Sequence, residues 1–228
     1  MTPRKKSEVK PLESSRILVV DDHPIVREGL AEAIDNETDL CVCGEAEDRH
    51  QAIAAIQAGH PDLVIVDLKL KDSDGFELIK DIHARWPKLP MLVVSMYEES
   101  VYAERVIRAG ARGYITKQEA TRKIIEAVRR VLSGSIYLND SVAAHLLSRL
   151  ATGGVEAVTS PADLLTDREL QVFELTGLGL NTHRIPARLG VAPKTVETYR
   201  ARIRDKLDLQ DASELLEAAI AWSHRPRA

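Results

Sequence analysis

The stretch that most constrains this chain is Leu63-Val64-Ile65-Val66-Asp67, four apolar residues running straight into one carboxylate. A short β-branched run bounded by turn residues reads as a strand buried on both faces, as in a parallel sheet. The design recurs: Arg16-Ile17-Leu18-Val19-Val20 ends in Asp21-Asp22, Met91-Leu92-Val93-Val94 ends in Ser95, and Gly113-Tyr114-Ile115-Thr116 ends in Lys117. A weaker strand falls near residues 40–42. Between these runs the apolar residues keep helical spacing: Ile25, Val26, Leu30, Ala33 and Ile34; Ile53 and Ile56; Phe76, Leu78, Ile79 and Ile82; Val101, Val106 and Ile107; Ile124, Ile125, Val128 and Leu132. Five strands alternating with five helices predict an α/β domain over residues 16–135, a doubly wound five-stranded parallel (βα)5 sheet. The polar residues that end the strands then share its carboxyl edge, where such sheets place ligands.

Beyond residue 135 the pattern changes. Residues 136–162 read as a linker, with a helix over 140–150 and then Gly153, Gly154, Ser160 and Pro161. Strand signals stop there, and residues 163–224 read as a small all-α domain with helices over 166–178, 182–189, 193–207 and 213–222. Thr166 and Glu169 form the capping box of the first of these. The pair 182–189 and 193–207, joined by Gly190-Val191-Ala192, has helix-turn-helix proportions. The chain's net charge of −4 does not advertise nucleic acid. The stripe Lys194, Arg200, Arg202, Arg204 and Lys206, against Glu197 and Asp205, is a local basic footprint of the kind DNA selects. In the last helix Leu216, Ala219, Ile220 and Trp222 exceed what one core face needs and are candidates for contact with a second chain. Residues 1–15 are polar and predict a disordered tail. No run approaches 18 apolar residues, so the expectation is a cytoplasmic protein without a membrane partner. Cys41 and Cys43 lack companion ligands and read as packing residues.

The chemistry follows from the strand ends. Three carboxylates on one sheet edge repel one another unless a cation neutralises them. Mg²⁺ suits a few carboxylates plus waters and keeps positions open for phosphate oxygens. A carboxylate beside it can attack phosphorus and form an aspartyl phosphate. Lys117 adds positive charge, and Ser95 adds a hydrogen-bond donor.

Val20-Asp21-Asp22-His23-Pro24, Asp67 with Gly75 eight residues on, Ser95-Met96 and Tyr114-Ile115-Thr116-Lys117 together resemble the receiver domain of bacterial two-component response regulators. The resemblance implies Asp67 as phosphoacceptor, Asp22 as a direct Mg²⁺ ligand assisted by Asp21, and the backbone carbonyl of Lys69 as a further ligand. It implies Lys117 as the site's cation, and Ser95 and Tyr114 as a switch pair in which the hydroxyl moves toward phosphate and the ring follows inward. Lys71 stands where the family usually has Pro. His23 reads as a structural residue opening the first helix, and Asp72 and Asp74 as turn and capping residues. Leu165-Thr166-Asp167-Arg168-Glu169, residues 177–180, Pro193-Lys194-Thr195-Val196-Glu197, Arg200-Ala201-Arg202-Ile203 and Lys206-Leu207 resemble the LuxR-type helix-turn-helix. Together the halves resemble a NarL/FixJ-type response regulator. By that resemblance Glu197, Thr198 and Ala201 approach base edges, and Lys194, Thr195, Tyr199, Arg200 and Lys206 approach phosphates. Pro186 replaces the usual Ala and either delays or bends its helix.

The expectation is therefore a transcription factor rather than an enzyme. Its expected partners are a sensor histidine kinase or a small phosphodonor, double-stranded DNA, and a second copy of itself when phosphorylated. Two rivals remain: a regulator that binds DNA without phosphate, and an Asp-nucleophile phosphatase of the haloacid dehalogenase type. The latter resembles Asp-x-Asp, and Lys69 stands at its second acid.

Overall fold

The computed structural model describes residues 14–70, 73–151, 161–181 and 183–224. The expected tail as far as residue 13, the Gly-containing part of the linker (152–160), Lys71, Asp72 and Thr182 lie outside the described residues.

Five strands form one parallel sheet: β1 (Ser15–Val20), β2 (Leu40–Ala46), β3 (Leu63–Val66), and then β6 (Met91–Ser95) and β7 (Gly113–Thr116). Between β3 and β6 lies a two-stranded antiparallel hairpin, β4 (Lys69–Leu70) with β5 (Ser73–Asp74). The sheet order β2-β1-β3-β6-β7 puts β3 at the centre, and all four of its residues are buried. Helices cover both faces, as a parallel sheet requires. On one face α1 (Pro24–Asp35) and α5 (Lys117–Leu132) bury Leu30, Ile34, Ile124 and Val128 against Ile17, Val19 and Ile65. On the other, α2 (Arg49–Gly59), α3 (Gly75–Arg85) and α4 (Glu99–Ala109) bury Ile56, Phe76, Ile79 and Val106 against Val20, Val64 and Val66. The expected (βα)5 order is thus present. The weak second strand is longer than the residue pattern implied, because the run carries on through Cys43 and Gly44 to Ala46 with a bulge in its pairing to β1. Ile25, placed by spacing on the core face of α1, is 83% exposed, because five residues before the buried Leu30 it falls about 140° around the helix from the core face.

After α6 (Asp140–Ala151) come α7 (Pro161–Leu164), α8 (Asp167–Gly177), α9 (Arg184–Leu189), α10 (Pro193–Leu207) and α11 (Ala212–Ser223). The capping box opens α8: the Glu169 amide donates to Thr166 Oγ1 at 3.4 Å, and the Thr166 amide donates to Glu169 Oε2 at 2.8 Å. Helix α9 starts at Arg184, so Pro186 sits in its first turn, where no backbone donor is missed. Pro186 therefore delays the helix rather than bending it. Gly190 ends α9 at φ +65°, the left-handed conformation that glycine adopts without Cβ strain. Leu170, Phe173, Ile185, Val196, Ile203 and Leu215 close the small core. Gly177 lies so close to the Ala219 carbonyl that a Cβ would collide with backbone, which fixes how α8 meets α11.

The two domains pack together, and most of the polar contact comes from one stripe of α4. The Tyr102 hydroxyl donates to Glu174 Oε2 at 2.8 Å. The Arg105 guanidinium pairs with Asp167 and donates to the carbonyls of Ala162 and Leu165. One turn earlier, Glu99 accepts from the Asn139 amide at 2.7 Å and side chain at 3.0 Å, and Asn139 in turn accepts from the Val142 amide in α6. Beside α4, Arg168 Nε lies 2.8 Å from Asp74 Oδ2. Asp74 also caps α3 by accepting from the Phe76 amide, so the capping role expected of it is present together with an interdomain one.

Candidate functional site

Each apolar strand must stop where the chain turns toward a helix, so the first polar residue after it emerges at the carboxyl edge. This places Asp21 and Asp22 after β1, Asp67 after β3, Ser95 at the end of β6 and Lys117 after β7. The side chains converge. Lys117 Nζ lies 2.5 Å from Asp21 Oδ2 and 2.7 Å from Asp67 Oδ2. Asp67 is 2% exposed, and its Oδ1 is buried without a hydrogen-bond partner. Burial pushes the Asp67 carboxyl above the usual carboxylate range, helped by Asp21 and opposed by Lys117 and Ser95. Burial lowers the Lys117 ammonium, but the two carboxylates outweigh it and hold it above its ordinary value.

Gly75 explains the spacing to Asp67. Its amide donates to the Leu68 carbonyl at 3.1 Å. A Cβ there would collide with the Asp67 carbonyl and the Leu68 backbone, so only glycine lets α3 begin directly beneath the acid. Tyr114 is wholly buried, and its hydroxyl donates to the Tyr97 carbonyl at 2.9 Å. The ring thus already occupies the inward position that the resemblance associates with phosphate. Burial raises the phenol well above its ordinary value, with Asp67 adding to the effect.

Two contacts escaped sequence reasoning. The Lys69 side chain, at the start of the hairpin, brings Nζ to 3.7 Å from Asp22 Oδ2. His23 makes no side-chain cap to α1. Its Nδ1 instead faces the acids, 2.5 Å from Asp22 Oδ1 and 3.2 Å from Asp21 Oδ1. The signal was in Asp21-Asp22-His23, whose third member follows the turn and shares the sheet edge.

In the small domain, Lys194, Glu197, Thr198, Arg202 and Lys206 on α10 are exposed, while Thr195, Tyr199, Arg200 and Ala201 are half-buried. Arg200 leans inward, its guanidinium 3.4 Å from Thr176 Oγ1, and burial lowers its pKa. Lys206 Nζ lies 2.7 Å from Glu169 Oε2 and, with the Thr166 hydrogen bonds, holds that carboxyl below its ordinary range despite its burial. In α11, Ala219 is buried and Trp222 half-buried beside α8. Leu216 and Ile220 stay 41% and 39% exposed, so of the four residues offered for a second chain only these two face outward. No described helix is long and apolar enough to cross a membrane.

A receiver-type acid pocket joined to a helix-turn-helix defines the class: a two-component response regulator with a DNA-binding output domain. Residues 17–129 match the response regulator receiver domain, and residues 163–219 match the bacterial regulatory proteins of the luxR family. The chain is 32% identical over 205 residues to the response regulator GacA of Pseudomonas viridiflava, covering 90% of this chain and 95% of that one. It is 33% identical over 195 residues to the DNA-binding transcriptional activator DevR/DosR of Mycobacterium tuberculosis, covering 86% and 89%. It is 34% identical over 212 residues to the transcriptional regulatory protein LiaR of Bacillus subtilis, covering 92% and 97%. Among solved structures, RcsB of Salmonella enterica serovar Typhimurium, bound to the promoter P1flhDC with the phosphomimetic BeF3-, aligns at TM-score 0.60 and 25% identity over 92% of this chain and all of that one. The chain belongs to the NarL/FixJ-type response regulators, transcriptional regulators with a LuxR-type helix-turn-helix.

Proposed function

We propose that Asp67 accepts a phosphoryl group from a partner histidine kinase or a small phosphodonor, and that this controls DNA binding by residues 163–224. The observation that carries the reading is the buried Asp67 held at 2.7 Å by Lys117. In the transfer an Asp67 oxygen attacks phosphorus, the P–N bond of the donor phosphohistidine breaks, and the leaving imidazole takes up a proton. Lys117 stays in place to balance charge on the phosphoryl oxygens, and Ser95 is near enough to donate to one of them. The three carboxylates of the cluster fit a hard divalent cation, because they offer oxygens and Asp67 Oδ1 has no other partner. Asp21, Asp22, Asp67 and the Lys69 carbonyl would hold Mg²⁺, which would offset charge on the phosphoryl group.

On DNA, α10 enters the major groove. Glu197, Thr198 and Ala201 approach base edges, and Lys194, Thr195, Tyr199, Arg200 and Lys206 approach phosphates once Arg200 and Lys206 leave their internal partners. Leu216 and Ile220 of α11 are the surface on which a second phosphorylated copy packs. Acetyl phosphate with Mg²⁺ should add one acid-stable, base-labile phosphoryl group, read by mass spectrometry. Asp67→Asn keeps the shape without the nucleophile, and its full phosphorylation would sink the assignment. The exposed base-reading residues of α10 favour a second reading, DNA binding without phosphate. Equal operator affinity of Asp67→Asn and the phosphorylated chain would support it.

A further inference from the structure

We infer that His23 is a fourth ligand of the pocket, and that it shifts the site's preference from Mg²⁺ toward imidazole-accepting divalent ions such as Co²⁺, Ni²⁺ and Zn²⁺. The inference deepens the reading of the Asp67 pocket and rests on it. Lys117 occupies one oxygen of Asp21 and one of Asp67, both Oδ2. The remaining oxygens define the space left for a cation: Asp67 Oδ1, which has no hydrogen-bond partner, Asp21 Oδ1 and Asp22 Oδ1. His23 Nδ1 borders that same space, at 3.2 Å from Asp21 Oδ1 and 2.5 Å from Asp22 Oδ1. One atom from each of the four residues lies within 4.8 Å of all the others. Rotation of the two outer side chains, Asp22 and His23, closes that to the ~3 Å between donors sharing one ion.

The Nδ1 contacts of the imidazole are with two of the carboxylates that would share the ion, so ligation exchanges those contacts for the ion. The ring caps no amide of α1, while the backbone amide of His23 donates to Asp21 Oδ1 at 2.9 Å and so fixes the turn that presents the ring. Three carboxylate oxygens alone favour hard ions. Adding one imidazole nitrogen raises affinity along the series that ends at copper and zinc, and adds little for Mg²⁺.

The test uses the full chain, titrated with Mg²⁺, Co²⁺ or Zn²⁺ in a calorimeter, together with His23→Ala and His23→Asn. Asn serves well as a helix N-cap, so the second variant keeps the turn while removing the ring nitrogen. Both variants should lose at least tenfold in Co²⁺ and Zn²⁺ affinity and stay within twofold for Mg²⁺. The visible spectrum of the Co²⁺ form should change in both variants. Unchanged Co²⁺ affinity and spectrum in both would overturn the inference, as would an equal loss for all three ions. Phosphorylation of the wild-type chain with Mg²⁺ separates the two claims. If Asp67 is phosphorylated and His23 leaves Co²⁺ unaffected, the ligand role alone falls. If Asp67 takes no phosphate yet the His23-dependent Co²⁺ site is present, the ligand role stands and the phosphoacceptor reading falls.

Discussion

Glu174 lies at the contact between the two domains and should make their docking depend on pH. It is almost fully buried, accepts from the Tyr102 hydroxyl across the interface, and also meets Trp222 and Arg105. Burial pushes its carboxyl from 4.5 up to about 7, against the pull of the Tyr102 and Trp222 donors and the Arg105 charge. A docked-state pKa above the free value means that the docked state holds the proton more tightly. Docking is therefore strongest at low pH, weakens as pH rises from about 4.5 to about 7, and is flat beyond. A rise of that size corresponds to about 3 kcal/mol. This is a ceiling, because the burial that α11 provides remains when the domains part. If all of it were released on opening, the opening constant would grow roughly thirtyfold between about pH 5.5 and pH 8. Glu174→Gln keeps an acceptor for Tyr102 but cannot ionise, so its opening should be independent of pH and smaller than wild type at about pH 8. Tyr102→Phe removes the donor that reaches the buried carboxyl from the other domain, at about 1–3 kcal/mol, and should favour the open form throughout. Energy transfer between fluorophores placed on the two domains would report the opening. Glu174→Gln that still opens with rising pH, or wild type that closes, would refute the reasoning.

Gly75→Ala should cost about 1–3 kcal/mol in a thermal or urea melt, because the new Cβ meets backbone rather than a flexible side chain; a stability within 0.5 kcal/mol, roughly the scatter of surface changes, would contradict the close approach. Lys194→Ala should weaken all DNA sequences nearly equally and reduce the log–log salt slope by about one. Glu197→Ala should instead relax preference at one base position per half-site, by roughly 1–3 kcal/mol, in a binding-site selection. Leu216→Glu should keep the phosphorylated chain monomeric by sedimentation while leaving the fold intact, since the side chain is 41% exposed.

The legible parts of this fold share a cause. A strand buried on both faces must be apolar throughout, so β3 and β6 announce themselves, and the polar residue ending each run is forced to the ligand edge. That alone places Asp67, Ser95 and Lys117 on one edge, where the structure has them; their roles came only from the resemblance. Strand β2 was harder because it lies at the sheet edge with four half-buried residues, so its composition is mixed. His23 opens α1 as read, at its N-cap position, but nothing in the residue pattern shows its ring turned toward the acids. The interface was not legible at all. Tyr102 and Glu174 are 72 residues apart, and Arg105 and Asp167 are 62 apart. Each is ordinary in its own helix, and no periodicity pairs a tyrosine in one domain with a glutamate in another.

Helix α4 connects the acid pocket to the output domain. Its leading loop begins at Ser95, beside Asp67, and continues through Tyr97, whose carbonyl receives the Tyr114 hydroxyl and whose ring stacks on Tyr102 with centroids 4.9 Å apart. Glu99, Tyr102 and Arg105 then come at three-residue intervals, so they lie on one face of the helix. Each grips a different part of the chain beyond the parallel sheet: Asn139 before α6, Glu174 in α8, and the turn that opens α8. A displacement of Ser95 toward a phosphoryl oxygen would draw on the Tyr97–Tyr114 contact and shift this face as a unit. Because the three contacts sit on one rigid helix, they would be strained together rather than one at a time. Helix α10 takes no part in them. Control through this interface would therefore act on where the small domain sits, and on whether Leu216 and Ile220 can meet a second copy, rather than on uncovering α10.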